Sequence, residues 1–272
     1  MTTVATPGRG GGLRRVRVVG ALALVLVLLP VVPASAQRTT EHACPADMEL
    51  EDPAFPDQAA LGAINEREIL CVHGWGLTDG LADATFGTLA DLDRAQLVTF
   101  LMRLLAVAGV ETGTAPAPAD TFDDTDTIPD VHRDNVLTAA ALDIVTGFAD
   151  GSFRPAATVT RAQAASLLVR TQRLIDAAYD IDDQDREAYL ATLDFDADFT
   201  DVAGSVHEDS IVLLARLGVI GGYPDGTFRP AAGLLRGHAG AFLARHLDVL
   251  ADLDLDYLAP LAIDAPSDGR AE

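Results

Sequence analysis

One nine-residue segment occurs twice in this chain, and that constrains the fold more than any other feature. Gly147-Phe-Ala-Asp-Gly-Ser-Phe-Arg-Pro155 returns as Gly222-Tyr-Pro-Asp-Gly-Thr-Phe-Arg-Pro230, with six of nine positions identical at an offset of 75. The same offset pairs His132 with His207, Arg161 with Arg236 and Arg170 with Arg245. A weaker copy lies upstream at an offset of 67, pairing Phe55 with Phe122, Gly80 with Gly147, Asp83 with Asp150, Phe86 with Phe153 and Arg94 with Arg161. Repeats at fixed spacing mean one supersecondary unit used several times, each too small to bury its apolar face alone.

Each unit follows the same grammar. An F-x-D opening (Phe55/Asp57, Phe122/Asp124, Phe199/Asp201) precedes a helical pattern, clearest where Ile211, Leu214, Ala215 and Gly218 fall at helical spacing. Gly147 or Gly222 then allows a tight turn. Asp150-Gly151 and Asp225-Gly226 read as turn formers, and Phe153 and Phe228 as core anchors. A second helix starts near Arg94, Arg161 or Arg236. Thr160-Arg-Ala-Gln163 is a capping box, and Asp93-Arg-Ala-Gln96 is nearly as good. Leu235-Arg-Gly-His238 lacks both capping residues, and Gly237 and Gly240 are expected to weaken that helix by roughly 1 kcal/mol each. The pattern predicts an all-α protein of three helix-loop-helix units in a pseudo-threefold bundle. Units span 51–110, 120–178 and 197–250, with an acidic linker at 179–196 and a tail at 251–272. That linker is expected to hold a short helix around Arg186 to Leu193.

The N-terminus reads differently. Arg14, Arg15 and Arg17 precede an apolar run from Val18 to Val32, and Ala34-Ser35-Ala36 is an A-x-A cleavage site. This predicts a removable secretory signal over 1–36, followed by an arm at 37–50. The run is short for a membrane span. Export implies an oxidising compartment, where the two cysteines, Cys44 and Cys71, fit one disulfide; free buried thiols are the alternative.

Charge excludes whole classes of partner. The chain has 41 Asp+Glu against 19 basic residues, all arginine, for a net charge of −22. Nucleic acid and anionic lipid need a basic surface, so neither is expected as a partner. Any anionic ligand must be gripped by local arginines.

The run from Phe199 through Asp201, His207, Ile211 and Leu217 to Pro230, with Arg236 after it, resembles the S-layer homology (SLH) repeat. Thr160-Arg161-Ala162-Gln163 is close to that family's T-R-A-E signature. Unit 1 departs from it, lacking the Gly after Asp83 and the Arg-Pro after Phe86. The resemblance implies a pseudo-threefold helical module that binds cell-wall polysaccharide, often an anionic pyruvylated polymer. It implies that Arg94, Arg161 and Arg236 lie in grooves between repeats and contact the glycan. A guanidinium suits that role because it stays charged and grips a carboxylate with two parallel bonds. It would also sit at a helix N-terminus, where free N–H groups favour an anion. Gly147 and Gly222 would permit close approach of the ligand, and Tyr223 would meet it with a polar-tipped ring. The competing reading is that each arginine braces its own repeat.

No enzyme signature is present: no G-x-S-x-G, no H-E-x-x-H and no phosphate-binding glycine loop. His132 and His207 read as structural positions on the first helix. Asp194-Phe-Asp-Ala-Asp198 lacks the central Gly and terminal Glu of an EF-hand, and reads as solvated linker rather than a metal site. No cofactor is expected. The sequence thus points to a non-catalytic wall-binding surface protein, or alternatively to a self-assembling surface or adaptor protein using the repeats for packing.

Overall fold

Thr160 opens the longest helix by accepting a hydrogen bond from Gln163 N at 3.2 Å, while the Gln163 side chain returns one to Thr160 N at 3.1 Å. Such a box satisfies two of the N–H groups that a helix start leaves unpaired. Asp93 caps its helix by the same route, accepting from Gln96 N at 2.8 Å. Leu235 makes no side-chain cap.

The structure, a computed structural model, describes residues 37–46, 48, 55–113 and 121–253. The expected signal segment 1–36, most of the first linker and the tail from 254 lie outside the described residues. So does the start of unit 1.

The described residues are all-α. The helices are α1 (Ala63–Gly74), α2 (Arg94–Val107), α3 (Asp130–Ala141), α4 (Arg161–Ala178), α5 (Asp183–Leu190), α6 (Glu208–Arg216) and α7 (Arg236–Asp252). The linker helix is α5, starting earlier than expected because Asp182 and Asp185 form a capping box of their own. Between the described residues only isolated bridges pair, with no extended strand.

Packing runs from each unit to the next. The first helix of unit 2, α3, packs on α2 of unit 1; α6 of unit 3 packs on α4 of unit 2; and α1 of unit 1 packs on α7 of unit 3. One continuous core joins them, including Leu97, Leu101, Val136, Leu168, Ile211 and Leu247, all at most 1% exposed. Each such side chain contributes roughly 1.5–3 kcal/mol through removal from water.

Gly237 and Gly240 do not interrupt α7, which runs for 17 residues. Packing requires the first and is tight at the second. A Cβ at Gly237 would stand 2.8 Å from the Thr88 carbonyl oxygen, and one at Gly240 would stand 3.2 Å from the Phe86 ring. The helix-propensity cost is offset by close approach of unit 1.

The arm is fixed at several points. Cys44 and Cys71 are joined by a disulfide, tying it to α1. Trp75 Nε1 donates to Ala43 O, and Arg67 Nη2 donates to Cys44 O. On the other side Asp248 of α7 accepts from His42 N at 2.6 Å and from Arg38 Nη1 at 3.0 Å. The arm therefore staples unit 1 to unit 3, the one junction where the chain does not run directly from one unit into the next.

Candidate functional site

The F-x-D aspartate builds the turn of its own unit. Asp124 accepts from Phe153 N and Arg154 N at 2.6 and 2.7 Å, and Asp201 accepts from Phe228 N and Arg229 N at 2.7 and 2.8 Å. The opening phenylalanines stack on Phe153 and Phe228, with ring centroids 5.3 and 5.4 Å apart. Both inner rings are fully buried. Gly147 and Gly222 are dictated by this stacking: a Cβ at either position would collide with the opening ring and the carbonyl of Ser152 or Thr227.

The turn is locked from outside by an arginine that the sequence reading passed over. Arg154 Nη2 donates to Asp150 and Arg229 Nη2 to Asp225, at 2.6 and 2.9 Å. These bonds and those from Ser152 and Thr227 hold both carboxyls below the usual carboxylate range, Asp225 at about 2. Each guanidinium also lies over an aromatic ring, Arg154 over Phe148 at 4.1 Å and Arg229 over Tyr223 at 3.8 Å.

The signature arginines bridge units. Arg94 Nε donates to Phe153 O of unit 2, Arg161 Nε to Phe228 O of unit 3, and Arg236 Nε to Phe86 O of unit 1, at 2.8, 2.8 and 2.6 Å. Backbone bonds run in the same direction. Arg94 N and Ala95 N donate to Ala157 O and Pro155 O, Arg161 N and Ala162 N to Ala232 O and Pro230 O, and Arg236 N and Gly237 N to Ala90 O and Thr88 O. Leu92, Val159 and Leu234 close a second ring in the opposite sense, each donating its N–H to the preceding unit: Leu92 to Leu234 O, Val159 to Leu92 O and Leu234 to Val159 O.

Two expectations are corrected here. The arginine braces the following unit, not its own. The first two N–H groups of α2, α4 and α7 are consumed by that unit's carbonyls, so these helix ends offer no open anion cradle. The same bonds explain how α7 starts without a capping side chain.

What remains for a ligand lies at the arginine tips. Neither terminal nitrogen of Arg94 donates to a protein group among the described residues, and Arg161 commits only Nη2, to Gly221 O at 2.9 Å. Arg94 lies 8% exposed and Arg161 4%, beneath open clefts. The Arg161 cleft, about 180 Å³, is lined by Gly222, Tyr223, His238, Phe242, Arg245 and Asn65, with Gln37 from the arm. The Arg94 cleft, about 110 Å³, is lined by the equivalent residues Gly147, Gln163, Leu167, Arg170 and His207. Both clefts take residues from all three units.

Burial pushes the Arg161 guanidinium below its ordinary value; Tyr223 opposes this and Arg229 adds to it. Arg94 moves the same way through burial and Arg154. His238 is lowered by burial and by Arg161 and Arg245, and His207 by burial and Arg170. Both shifts favour the neutral imidazole and leave positive charge in the clefts to the arginines. Arg245 is committed to Glu68 in a buried pair at 2.6 Å. Burial raises the Glu68 carboxyl despite that partner.

Arg236 does not present itself in this way. It is 1% exposed, with Nη2 toward Thr78 Oγ1 at 3.2 Å. Of the sequence-expected residues, the structure therefore places Arg94 with Gly147, and Arg161 with Gly222 and Tyr223, while Arg236 is enclosed. Asn65, His238, Gln37 and Phe148 were missed. Asn65 was recoverable, since the repeat offsets align it with His132 and His207. Gln37 carries no repeat signal at all.

A ring-bonded set of helix-loop-helix units with arginine-floored clefts at their junctions defines the class. Residues 121–165 and 198–239, within units 2 and 3, match the model of the S-layer homology domain. The chain is also similar to Cell surface glycoprotein 1 of Acetivibrio thermocellus, with 27% identity over 203 residues. That alignment covers 74% of this chain and 8% of the relative.

Proposed function

We propose that this is a non-catalytic cell-surface protein whose units form a pseudo-threefold bundle. It binds cell-wall polysaccharide in the Arg94 and Arg161 clefts, anchoring itself or a partner to the envelope. The observation that carries this is the unspent donor capacity of two guanidiniums beneath open clefts. A buried cation with free N–H groups is well matched to a sugar carboxylate, which satisfies them with short charge-assisted bonds. Phe148 and Tyr223 beside the arginines supply an apolar face for a sugar ring. The S-layer homology match and the surface glycoprotein relative support the same reading.

The test is sedimentation of the protein with bacterial cell walls before and after their secondary polysaccharide is stripped. Binding to intact walls and its loss on stripping is expected; equal binding to both preparations would sink the glycan assignment.

A second reading, self-assembly at the surface, rests on Val131 and Val206. They occupy the same position in units 2 and 3 and are 44% and 94% exposed. Concentration-dependent oligomers lost in Val206→Ser, with wall binding absent throughout, would favour it.

A further inference from the structure

The Arg161 cleft contains one residue that belongs to no repeat. Gln37 reaches it from the arm and lines the wall beside Gly222 and Tyr223. Its presence depends on a substitution between units. The residue just before the turn glycine (Gly80, Gly147 or Gly222) is Asp79 in unit 1, Thr146 in unit 2 and Gly221 in unit 3. Asp79 is committed to Arg103 at 2.9 Å. At Gly221 a Cβ would fall on the Gln37 carboxamide. The glycine removes a side chain, and the arm supplies another in its place.

Gln37 is held there by its neighbour. Arg38 N donates to Gly218 O at 3.0 Å, and its guanidinium is fixed by Asp248, Asp252, Tyr189 and Leu217 O. Arg38 is 7% exposed, so this anchor is buried while Gln37 itself is exposed. The carboxamide makes no hydrogen bond within the described residues. It thus offers two donors and an acceptor to whatever enters the cleft. A neutral amide next to a guanidinium fits a saccharide that carries a carboxylate for the arginine and a hydroxyl or acetamido group for the glutamine.

We propose that Gln37 is a specificity-determining residue of the Arg161 cleft, making this junction a composite site completed by the arm, for an acidic saccharide with a neutral polar group beside its carboxylate. This rests on the polysaccharide-binding reading above. It distinguishes the Arg161 cleft from the Arg94 cleft, where Thr146 stands at the position of Gly221.

The experiment uses the exported chain, its N-terminal residue established by mass spectrometry. The probe is soluble secondary polysaccharide released from the walls, in native form and after chemical reduction of its carboxyls to alcohols, titrated calorimetrically. Gln37→Ala is expected to weaken binding of native polymer about three- to tenfold, the scale of one neutral hydrogen bond. Gln37→Glu is expected to weaken native polymer more than Gln37→Ala does, because it sets a carboxylate against a carboxylate. On the carboxyl-reduced polymer that extra loss disappears. Gly221→Thr, which installs the unit 2 residue and displaces the amide, is expected to match Gln37→Ala and add nothing to it in the double variant.

If Arg161→Ala loses binding while all three variants bind like wild type, the Gln37 assignment falls and the polysaccharide reading stands. If Gln37→Glu loses both polymers equally, the residue acts by shape and not by discrimination, which also overturns the assignment. Wild-type protein that binds neither polymer overturns both.

Discussion

Arg161 and Arg236 hold the same place in successive units and make the same Nε bond to the next unit's phenylalanine carbonyl. Above Arg161 there is a cleft of about 180 Å³, whereas Arg236 is 1% exposed. The difference comes from the turn each arginine faces. Arg161 faces the unit 3 turn, where Arg229 clamps Asp225 and stacks on Tyr223. Arg236 faces the unit 1 turn, where Leu81 and Gly87 stand in place of Tyr223 and Arg229. Leu81 and the Arg236 stem both pack against Gly87. Without the outer clamp, the apolar residue lies inward. One residue type at one position therefore underlies a cleft at one junction and is enclosed at another, and its neighbour decides which.

The sharpest way to break this comparison is to truncate both arginines. Arg236→Ala should destabilise by about 3 kcal/mol, from a lost buried side chain and an orphaned carbonyl. A urea midpoint shift at constant slope measures this, and the folded fraction should still bind walls. Arg161→Ala should lower polymer affinity about 10- to 100-fold, the worth of hydrogen bonds to a charged group, with its disulfide and helix content intact. Equal binding losses from both would show that the enclosed arginine also meets ligand.

A comparable effect is expected from the Cys44→Ser/Cys71→Ser pair. Losing a cross-link with a sequence separation of 27 should cost about 3 kcal/mol. Because, among the described residues, the arm lines the Arg161 cleft and not the Arg94 cleft, the loss of affinity should be confined there, and an Arg94→Ala background should expose it.

pH separates the region behind α7 next. His246 is wholly buried, and burial lowers it from 6.5 to about 3, with Arg186 contributing. A lowered folded value means stability that is fully present above 6.5 and lost as pH falls toward 3, at up to about 1.4 kcal/mol per pH unit. His246→Leu should flatten that part of the stability profile relative to wild type. Carboxylates such as Asp225 add their own loss at lower pH, and the difference between the two proteins removes it.

The smallest effect tests the turns themselves. Ala84 sits at φ 62 where units 2 and 3 have Gly151 and Gly226 at φ 80 and 77. A side chain there is strained, so Ala84→Gly should stabilise by about 1 kcal/mol and Gly226→Ala should cost about the same. Thermal melts of the two variants check the pair.

The fold was legible wherever a residue's role is local. Thr160 and Gln163 announce a cap, and the Asp-Gly turns announce themselves, because both depend on neighbours within a few positions. The arginines were found by their spacing, but not their partners, since Phe228 O lies 67 residues from Arg161 and no pattern marks a carbonyl. The packing role of Gly237 was hidden for a similar reason: its constraint comes from Thr88, across the ring. Gln37 was invisible because a single residue in a non-repeating arm has nothing to be compared with. Repetition exposes what the units share, and the candidate site is most distinctive where they differ.

The circuit through Leu92, Val159 and Leu234 has a consequence for growth. A solenoid lengthens freely because its last unit offers the same open face as its first. Here the N–H groups of Arg94, Arg161 and Arg236 donate forward around the ring, while those of Leu92, Val159 and Leu234 donate backward, so each unit is bonded in both senses to both neighbours. Among the described residues these bonds close on themselves, so a fourth unit would have to break a junction to join. Deleting one unit strands donors and acceptors together, so a two-unit fragment should behave as an unfolded chain rather than as a shorter protein. Substitution within a junction leaves the ring of bonds intact, whereas a change in the number of units breaks it.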